Sequence, residues 1–589
     1  MQDNYRAKAN EIANVIWSVA DSLRGLYKQA DYGKVILPMT VLRRLDSVLT
    51  PTKQKVLEFL PKTEAMPDNA KDATLNKIVG FNFHNRSRFD FAKLAEKPND
   101  VAANLRNYIN GFSVSAREIL EYFDFETHIQ KLDDPKTGAD LLYTIIKKFN
   151  AIDLGEANAL TMGYAFEELI RKFAELSNET AGEHFTPREV IRLMVDLLFI
   201  HDREILTTKG IVKTLYDPAC GTGGMLSVAE EYLQELNPEA RLELFGQEIN
   251  PESYAICKSD MLIKGQNPSN IKFGNTFTSD GLQDNRFDYM LSNPPFGVEW
   301  RNAEKIIKKE YETRGMEGRF GAGLPRINDG SFLFLQHMMS KRKHDTEGSR
   351  LAIVFNGSPL FTGSAGSGES DIRKWIIEND WLEAIVAMPD QLFYNTGIST
   401  YIFIVTNRKP ADRKGKVQLI NATGGAFADQ NNPFYTKMQR SLGNKRKEMS
   451  PQQIKHIAKL YGEYDKADQQ FSKIFDNEFF GYNRITVERP LRDPQNVVIV
   501  DKKGTPKADG ALRDAENVPL SMDIMDYFKR EVIPHVPDAW VDDTKTKTGY
   551  EINFTKYFYT FNPLRPLEAI RKDILAVEAA TEGLLKEII

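Results

Sequence analysis

The sequence predicts an α/β protein, with a doubly wound sheet domain over residues 151–480, an all-α domain over 1–150 before it and a helical extension over 481–589 after it. Three observations predict this. Apolar residues recur at helical spacing through the first 150 residues, a period near 3.6 rather than 2. From about residue 155, helix-like stretches alternate with short apolar runs, the pattern of a mostly parallel sheet covered by helices on both faces. Beyond about residue 435 the strand signal fades, and the chain closes on an amphipathic stripe. A length of 589 residues also exceeds what one hydrophobic core serves, so two or three domains are expected.

Along the chain, Ile12, Val15, Ile16 and Val19, then Val35, Leu42, Leu45 and Leu49, form helical stripes between polar connections such as LPKTEAMPDNAKD. Nothing in this region suggests chemistry, and it reads as a packing domain. The segments YAFEELIRKFAEL and PREVIRLMVDLLF are the next helices, and IVKTLYD, LELFGQE, FDYMLSN, RLAIVFN, EAIVAMP and TYIFIVT are the expected strands. At the far end Pro566 suits a first helical turn. Leu567, Ile570, Ile574, Val577, Thr581, Leu584 and Ile588 then alternate by three and four residues, which is a coiled-coil seam. So short a helix is marginal in water by itself, so the stripe is expected to bury against a partner helix or against its own chain.

Composition excludes several classes. No apolar run approaches the roughly 20 residues that span a bilayer, and the N-terminus MQDNYRAKANEIANVIW is polar and periodic. No membrane association is expected. Two cysteines, Cys220 and Cys257, make neither a disulfide framework nor a metal-ligand spacing, so no metal is expected and a reducing cytoplasm fits best. A net charge of -5 argues against a protein that coats nucleic acid unaided.

The most informative segment is Leu215-Tyr216-Asp217-Pro218-Ala219-Cys220-Gly221-Thr222-Gly223-Gly224. An apolar strand ends there, a glycine-rich turn follows, and MLSVAEEYLQEL opens a helix. The carboxyl end of the first strand of such a sheet is where ligands bind, and glycines let backbone approach a ligand closely. Neither a phosphate-cradling Gly-Lys-Ser/Thr nor a GxGxxG spacing is present. One helix and one strand later, FGQEINPES places Glu248 at a second strand tip, where a carboxylate accepts both hydroxyls of a ribose. A third strand runs into Asn293-Pro294-Pro295-Phe296. The prolines hold Asn293 extended. Its amide oxygen and neighbouring backbone carbonyls form an acceptor pair for an exocyclic amine, and Phe296 offers a flat face to a base taken out of the stack.

DPACGTGG followed by NPPF resembles the amino-methyltransferases of DNA, and GEHFTPREV (182–190) ahead of both resembles their additional cofactor motif. This order is that of the gamma class of N6-adenine methyltransferases. The resemblance implies a Rossmann-like domain, S-adenosylmethionine as cofactor and double-stranded DNA as substrate, with the target base flipped. It further implies that Thr186 and the backbone of Gly182, Glu183, His184, Phe185 and Pro187 hold the methionine end. Asp217 and Gly221 would line its amino group, with Glu248 on the ribose and Asn275 of FGNTF on the adenine edge, and Pro218, Thr222, Gly223 and Gly224 would also bind the cofactor. The family often has Asp where Asn275 stands. Asn293, Pro294, Pro295 and Phe296 would be catalytic, the Pro294 carbonyl sharing the amine with Asn293. Over nearly the whole length, including the closing segment YEINFTKYF (550–558), the chain resembles the modification subunit of type I restriction–modification enzymes. That implies a DNA-specificity subunit and a restriction (translocase/nuclease) subunit as partners.

Other readings stay open at this level. A solitary or phage-defence adenine methyltransferase shares these motifs, and N4-cytosine, RNA or protein-glutamine methyltransferases use related ones. Asn rather than Ser before Pro-Pro favours adenine by resemblance. Cys220 and Cys257 are not expected to act as nucleophiles, since amine methylation needs no covalent enzyme intermediate. The stretch EGRFGAGLPRINDGS (317–331) reads as a mobile loop near the target base, although residues 297–330 hold seven Lys/Arg against six Asp/Glu. Lys437, Arg440, Lys445, Arg446 and Lys447 are a candidate phosphate-contacting edge. From about residue 480 onward the chain reads as acidic to neutral with no base-reading motif.

Overall fold

A computed structural model describes residues 2–136, 140–155, 157, 159–177, 186–345, 347–394, 396–425, 431–559 and 566–588. It forms two compact units, Met1–Ile552 and Asn553–Ile589.

The first unit opens with helices, as the apolar stripes require. In Gly33–Leu49 the expected positions Val35, Leu42, Leu45 and Leu49 are all buried. In Gln2–Trp17 Ile12 and Ile16 are buried, whereas Val15 is 50% exposed and lies off the apolar face. The core of this region does not stop at residue 150. It runs on to Ala255, Ile256 and Leu262 of the helix Pro251–Ile263, so the helical region is packed onto the element that follows the Glu248 strand. That helix starts where its sequence dictates: Asn250 accepts from the Ser253 N–H at 2.9 Å and Pro251 occupies the first turn, a cap that satisfies a donor left free at the helix start.

The central strands are β1 (Val212–Asp217), β2 (Arg241–Glu248), β3 (Ile271–Phe273), β4 (Tyr289–Ser292), β5 (Arg350–Phe355), β6 (Leu382–Ala387), β7 (Tyr401–Thr406) and β8 (Lys416–Asn421). A hairpin of β9 (Thr436–Leu442) and β10 (Lys445–Glu448) follows, then β11 (Ser472–Asp476). The nine-stranded sheet reads β3-β2-β1-β4-β5-β7-β6-β8-β11. Its strands pair in parallel except β7, antiparallel to β5 and β6, and β11, antiparallel to β8. Every residue of β5 and β6 is buried, which is why these strands read as unbroken apolar runs rather than alternating ones. From β1 the chain moves outward to β2 and β3, then returns to β4 on the other side of β1. The switch point, and the crevice it opens, lies between β1 and β4.

The extension expected to be helical is built around a sheet before its end, with short helical turns such as Ile524–Tyr527 between the strands. Residues 481–550 build a second sheet from β12 (Gly481–Glu488), β13 (Asp514–Pro519), β14 (Trp540–Val541) and β15 (Lys547–Tyr550), all antiparallel to β12. Ile485, Val487 and Val518 pack with Phe528 and Val532 into a core of their own. β12 buries Gly481, Tyr482, Ile485, Val487 and Glu488, apolar and polar residues mixed, so the hydrophobic run that marks β5 is missing. The buried Arg373 ties this sheet to the rest by donating to the carbonyls of Tyr550 (2.6 Å), Pro359 (3.1 Å) and Thr362 (2.8 Å). In the second unit Leu567–Ile588 is one helix, on which Leu567, Ile574 and Val577 stand well exposed.

Candidate active site

A cavity of about 370 Å³ opens at the carboxyl ends of β1, β2 and β4, at the switch point. The glycine-rich turn forms one wall. Gly221 (φ 53°) and Gly223 (φ 85°) are both left-handed, a conformation other residues adopt at a cost. Asp217, at the tip of β1, accepts from the Ala219 N–H and the Ser292 hydroxyl, each at 3.0 Å. Because Ser292 ends β4, this bond ties the glycine motif to the Asn-Pro-Pro-Phe motif. Burial pushes the Asp217 carboxyl up to about 7, with the Glu248 charge adding to it and those two donors opposing.

Glu248 uses both carboxylate oxygens on backbone, accepting from Gly221 N–H at 2.8 Å and Asn250 N–H at 2.7 Å. Each oxygen keeps a lone pair, so the group fixes the turn and still has acceptors for a ligand's hydroxyls. Asn275 is placed differently from the simple expectation. Its side-chain oxygen accepts from Phe277 N–H at 2.8 Å and Thr278 N–H at 3.3 Å, so the amide N–H₂ is the part left for a ligand. An Asn at this position therefore presents a donor where the family's Asp would present an acceptor.

Just past β4 the Asn293 amide N–H₂ donates to the Thr186 hydroxyl at 2.8 Å, and its oxygen Oδ1 is buried without a hydrogen-bond partner among the described residues. A buried acceptor left unpaired costs about 1–3 kcal/mol, so such an atom calls for a ligand. Phe296 packs edge-on against Phe393 with ring centroids 6.0 Å apart. Phe393 was not singled out in the sequence, and its only signal is its place just past the β6 strand.

Of the residues proposed from sequence, Thr186, Asp217, Pro218, Gly221, Thr222, Gly224, Glu248, Asn275, Asn293 and Pro295 line the cavity, and Pro187, Gly223, Pro294 and Phe296 stand behind or beside it. Glu183, His184 and Phe185 lie outside the described residues. The far wall came as an addition: Val298, Trp300 and Asn302 from the segment after Phe296. That segment is no loose loop. Arg319 pairs with Glu310 at 2.7 Å and donates to the carbonyls of Thr276 (2.9 Å) and Phe277 (2.8 Å), while Trp300, Ile307, Phe320 and Leu333 form a buried cluster with Phe277. Part of the basic run at 437–447 is also spent internally. Lys445 is buried against Glu189 and Lys447 pairs with Asp390, so these two are not free to meet phosphate. Among the described residues no cluster of metal-ligating side chains occurs and no helix is long and apolar enough to cross a membrane.

Comparison with known proteins agrees with this fold. The family model for N-6 DNA methylase matches residues 158–483, and that for the HsdM N-terminal domain matches residues 12–149. The MjaIX type I restriction enzyme methylase subunit of Methanocaldococcus jannaschii is 28% identical over 435 residues, covering 70% of this chain and 72% of its own. The MpnII methylase subunit of Mycoplasma pneumoniae is 23% identical, covering 81% and 88%. Among solved structures, the type I restriction–modification methyltransferase subunit from Streptococcus thermophilus superimposes with a TM-score of 0.62 at 23% identity, covering 80% of this chain and 97% of that one. A family match that spans the whole cavity-bearing domain, joined to a second over the helical region, places the chain in the N-6 DNA methylase family as a type I restriction–modification modification subunit.

Proposed function

We propose that this chain transfers a methyl group from S-adenosylmethionine to the N6 amine of adenine in a specific sequence of double-stranded DNA, as the modification subunit of a type I complex in the cytoplasm. One observation carries the reading: the buried, unpartnered Oδ1 of Asn293 beside a cavity at the switch point. The amide is turned so that its donor side is spent on Thr186, which leaves an acceptor for an amine. The cavity residues fit the cofactor. Asp217 is a buried carboxyl whose charged form wants a cation, which the ammonium of the methionine end provides. Glu248 accepts from ribose hydroxyls, and Asn275 donates toward the adenine ring. When bound, S-adenosylmethionine supplies an electrophilic methyl group on a sulfonium.

The chain's own part is to position and to desolvate. Asn293 and the Pro294 carbonyl accept the two hydrogens of the amine, which frees the nitrogen lone pair from the ring. Phe296, braced edge-on by Phe393, supports the flipped base. Val298 and Trp300 close the far wall against water. Adenine is favoured over cytosine by Asn rather than Ser before Pro-Pro and by the N-6 family match. A radiolabelled methyl assay offering DNA, RNA and protein acceptors, followed by mapping of modified bases, tests this. Modified adenines in DNA are expected, and transfer confined to RNA or protein would overturn it.

The raised Asp217 carboxyl gives a pH dependence with a definite sign. Cofactor affinity should hold above pH 7 and fall about tenfold for each unit below it, as the carboxyl protonates. Folding runs the other way. A carboxyl raised on folding contributes stability below its ordinary range, and that contribution is lost as pH rises through about 7. The thermal shift given by cofactor should therefore grow from pH 6 to pH 8. A flat calorimetric profile over that range would remove Asp217 as the partner of the ammonium.

The same reading assigns the helix Leu567–Ile588 to the specificity subunit, with the restriction subunit joining that assembly. Support comes from the exposed apolar positions Leu567, Ile574 and Val577 and from relatives named as type I subunits. Deleting residues 566–589 should leave cofactor binding intact and abolish copurification with the specificity subunit. Stoichiometric copurification of the truncated chain would refute the assignment.

A further inference from the structure

Between β12 and β13 the chain makes an excursion, residues 489–513, that belongs to neither strand. Three short segments within it close on one another. Ile499 N–H donates to Leu491 O at 2.8 Å, Lys507 N–H to Ile499 O at 2.9 Å, and Leu491 N–H to Lys507 O at 2.7 Å. The backbone is thus satisfied internally, which gives the arm a defined shape although its surface is open: every residue from 501 to 508 is exposed.

The charges on this arm are unevenly committed. It carries six Lys/Arg against three Asp/Glu in a chain whose net charge is -5. Each of the three carboxylates accepts from backbone N–H groups of its own turn. Asp493 accepts from Gln495 and Val497 N–H, Asp501 from Lys503 and Thr505 N–H, and Asp509 from Ala511 N–H. The backbone donors of Thr505 and Lys503, and to a lesser extent the nearby Lys507 charge, hold the Asp501 carboxyl below its usual range. At the base, Arg492 pairs with Asp538 and Arg513 with Glu488, each at 2.8 Å. At the tip Lys502, Lys503 and Lys507 have no ion-pair partner among the described residues. Three exposed lysines therefore stand at the tip without an ion pair, while one oxygen of each nearby acid is engaged by its own turn.

The arm is connected to the cavity by an unbroken set of contacts. Its sheet is held by Arg373 and by the bond from Tyr550 N–H to the Ser370 hydroxyl (3.1 Å). Ser370 lies in the helix Gly368–Glu378, whose Glu369 accepts from Arg326 N–H at 2.9 Å, and the Arg326 carbonyl accepts from the Trp300 indole at 2.9 Å. Trp300 is part of the cavity wall.

We propose that the tip of this arm grips the phosphate backbone of double-stranded DNA outside the flipped base, through Lys502, Lys503 and Lys507. This rests on the DNA methylation reading above, which requires a polyanion to be held by a protein of the same net sign. Lysines on flexible stems act as point charges that meet phosphates without reading sequence, and a duplex offers one negative charge per about 1.7 Å of axis. Val497, Val500 and Leu512 are also exposed on the arm, so binding of a protein partner there is the competing outcome that the assembly readout detects.

The test uses the full-length protein saturated with S-adenosylmethionine, and the triple substitution Lys502→Gln, Lys503→Gln, Lys507→Gln. All three side chains are exposed, so the variant should melt with the parent and bind cofactor equally. Affinity for a labelled duplex of arbitrary sequence is followed across salt from about 50 to 200 mM. Each phosphate contact adds about 0.9 to the log–log slope, so loss of three should flatten it by roughly 2–3, with at least a tenfold loss of affinity at the low-salt end. An unchanged slope and affinity, or a parent that binds no duplex even at low salt, overturns the arm. So does a variant that keeps its slope but no longer assembles with its protein partners. The two readings separate: a parent that shows the arm-dependent slope yet methylates no DNA would remove the proposed reaction and leave the arm standing.

Discussion

Asn293→Ala should lower the rate of methyl transfer by two to three orders of magnitude while leaving cofactor affinity within a few-fold of the parent. Loss of a single preorganised hydrogen bond to a group whose charge develops in the transition state costs about 2.7–4 kcal/mol. Here the acceptor is already buried, unpaired and oriented by Thr186, so nothing has to reorganise when the amine arrives. The substitution leaves intact the turn that holds the cofactor, because Asp217 takes its β4 contact from Ser292 and not from Asn293. Single-turnover transfer with calorimetry on the same preparation checks both halves. Transfer near the parent rate would show that Asn293 is not the acceptor, and loss of cofactor binding would show that Thr186 and Asn293 together serve the methionine end instead.

How much of this was legible in the sequence differs from element to element. The cavity's nearer wall was readable because each part joins an apolar strand to an abrupt tip of unusual residues: Asp217 and its glycines, Glu248, Asn293 with its prolines. Those tips converge simply because parallel strands carry their carboxyl ends to one edge. The far wall was not readable. Val298 and Trp300 reach the cavity only because Arg319 anchors a segment of mixed charge onto the carbonyls of Thr276 and Phe277, a long-range bond that leaves no periodicity. Likewise Lys445 and Lys447 form a basic run in sequence, yet folding pairs them with Glu189 and Asp390. The cations that stay without an ion pair, Lys502, Lys503 and Lys507, are hidden in a stretch whose acids look like their partners in sequence but are engaged by backbone N–H groups of their own turns once folded. Asn275 shows the same limit at one atom. Its position was foreseen, but which end of its amide faces a ligand was decided by Phe277 N–H.

Gly223→Val should lose at least about two orders of magnitude in cofactor affinity, and the reason differs from the one its place in a glycine-rich motif suggests. Gly223 does not line the cavity. It stands at φ 85° at the start of the helix Gly224–Leu236, where an L side chain costs roughly 1–2 kcal/mol. A Cβ there would also sit 2.8 Å from the Cys257 Sγ. Cys257 has little room to retreat, being buried in the helix whose neighbours Ala255 and Ile256 lie in the core of the N-terminal helices. The turn must yield instead, and with it the Gly221 N–H bond to Glu248. Glu248→Ala removes that same bond to Gly221 N–H, the Asn250 N–H bond and the acceptors for the ribose hydroxyls, but it leaves the turn's φ angles unstrained, so it should weaken cofactor binding with a smaller fall in melting temperature. The collision with sulfur gives a sharper check. Gly223→Ala adds little more than the offending Cβ, and Cys257→Ala removes the atom it meets, so the double variant should recover part of the affinity that Gly223→Ala loses, with the backbone strain left over. If Cys257→Ala restores nothing, the side chain at 223 is obstructing the ligand and not the helix behind it.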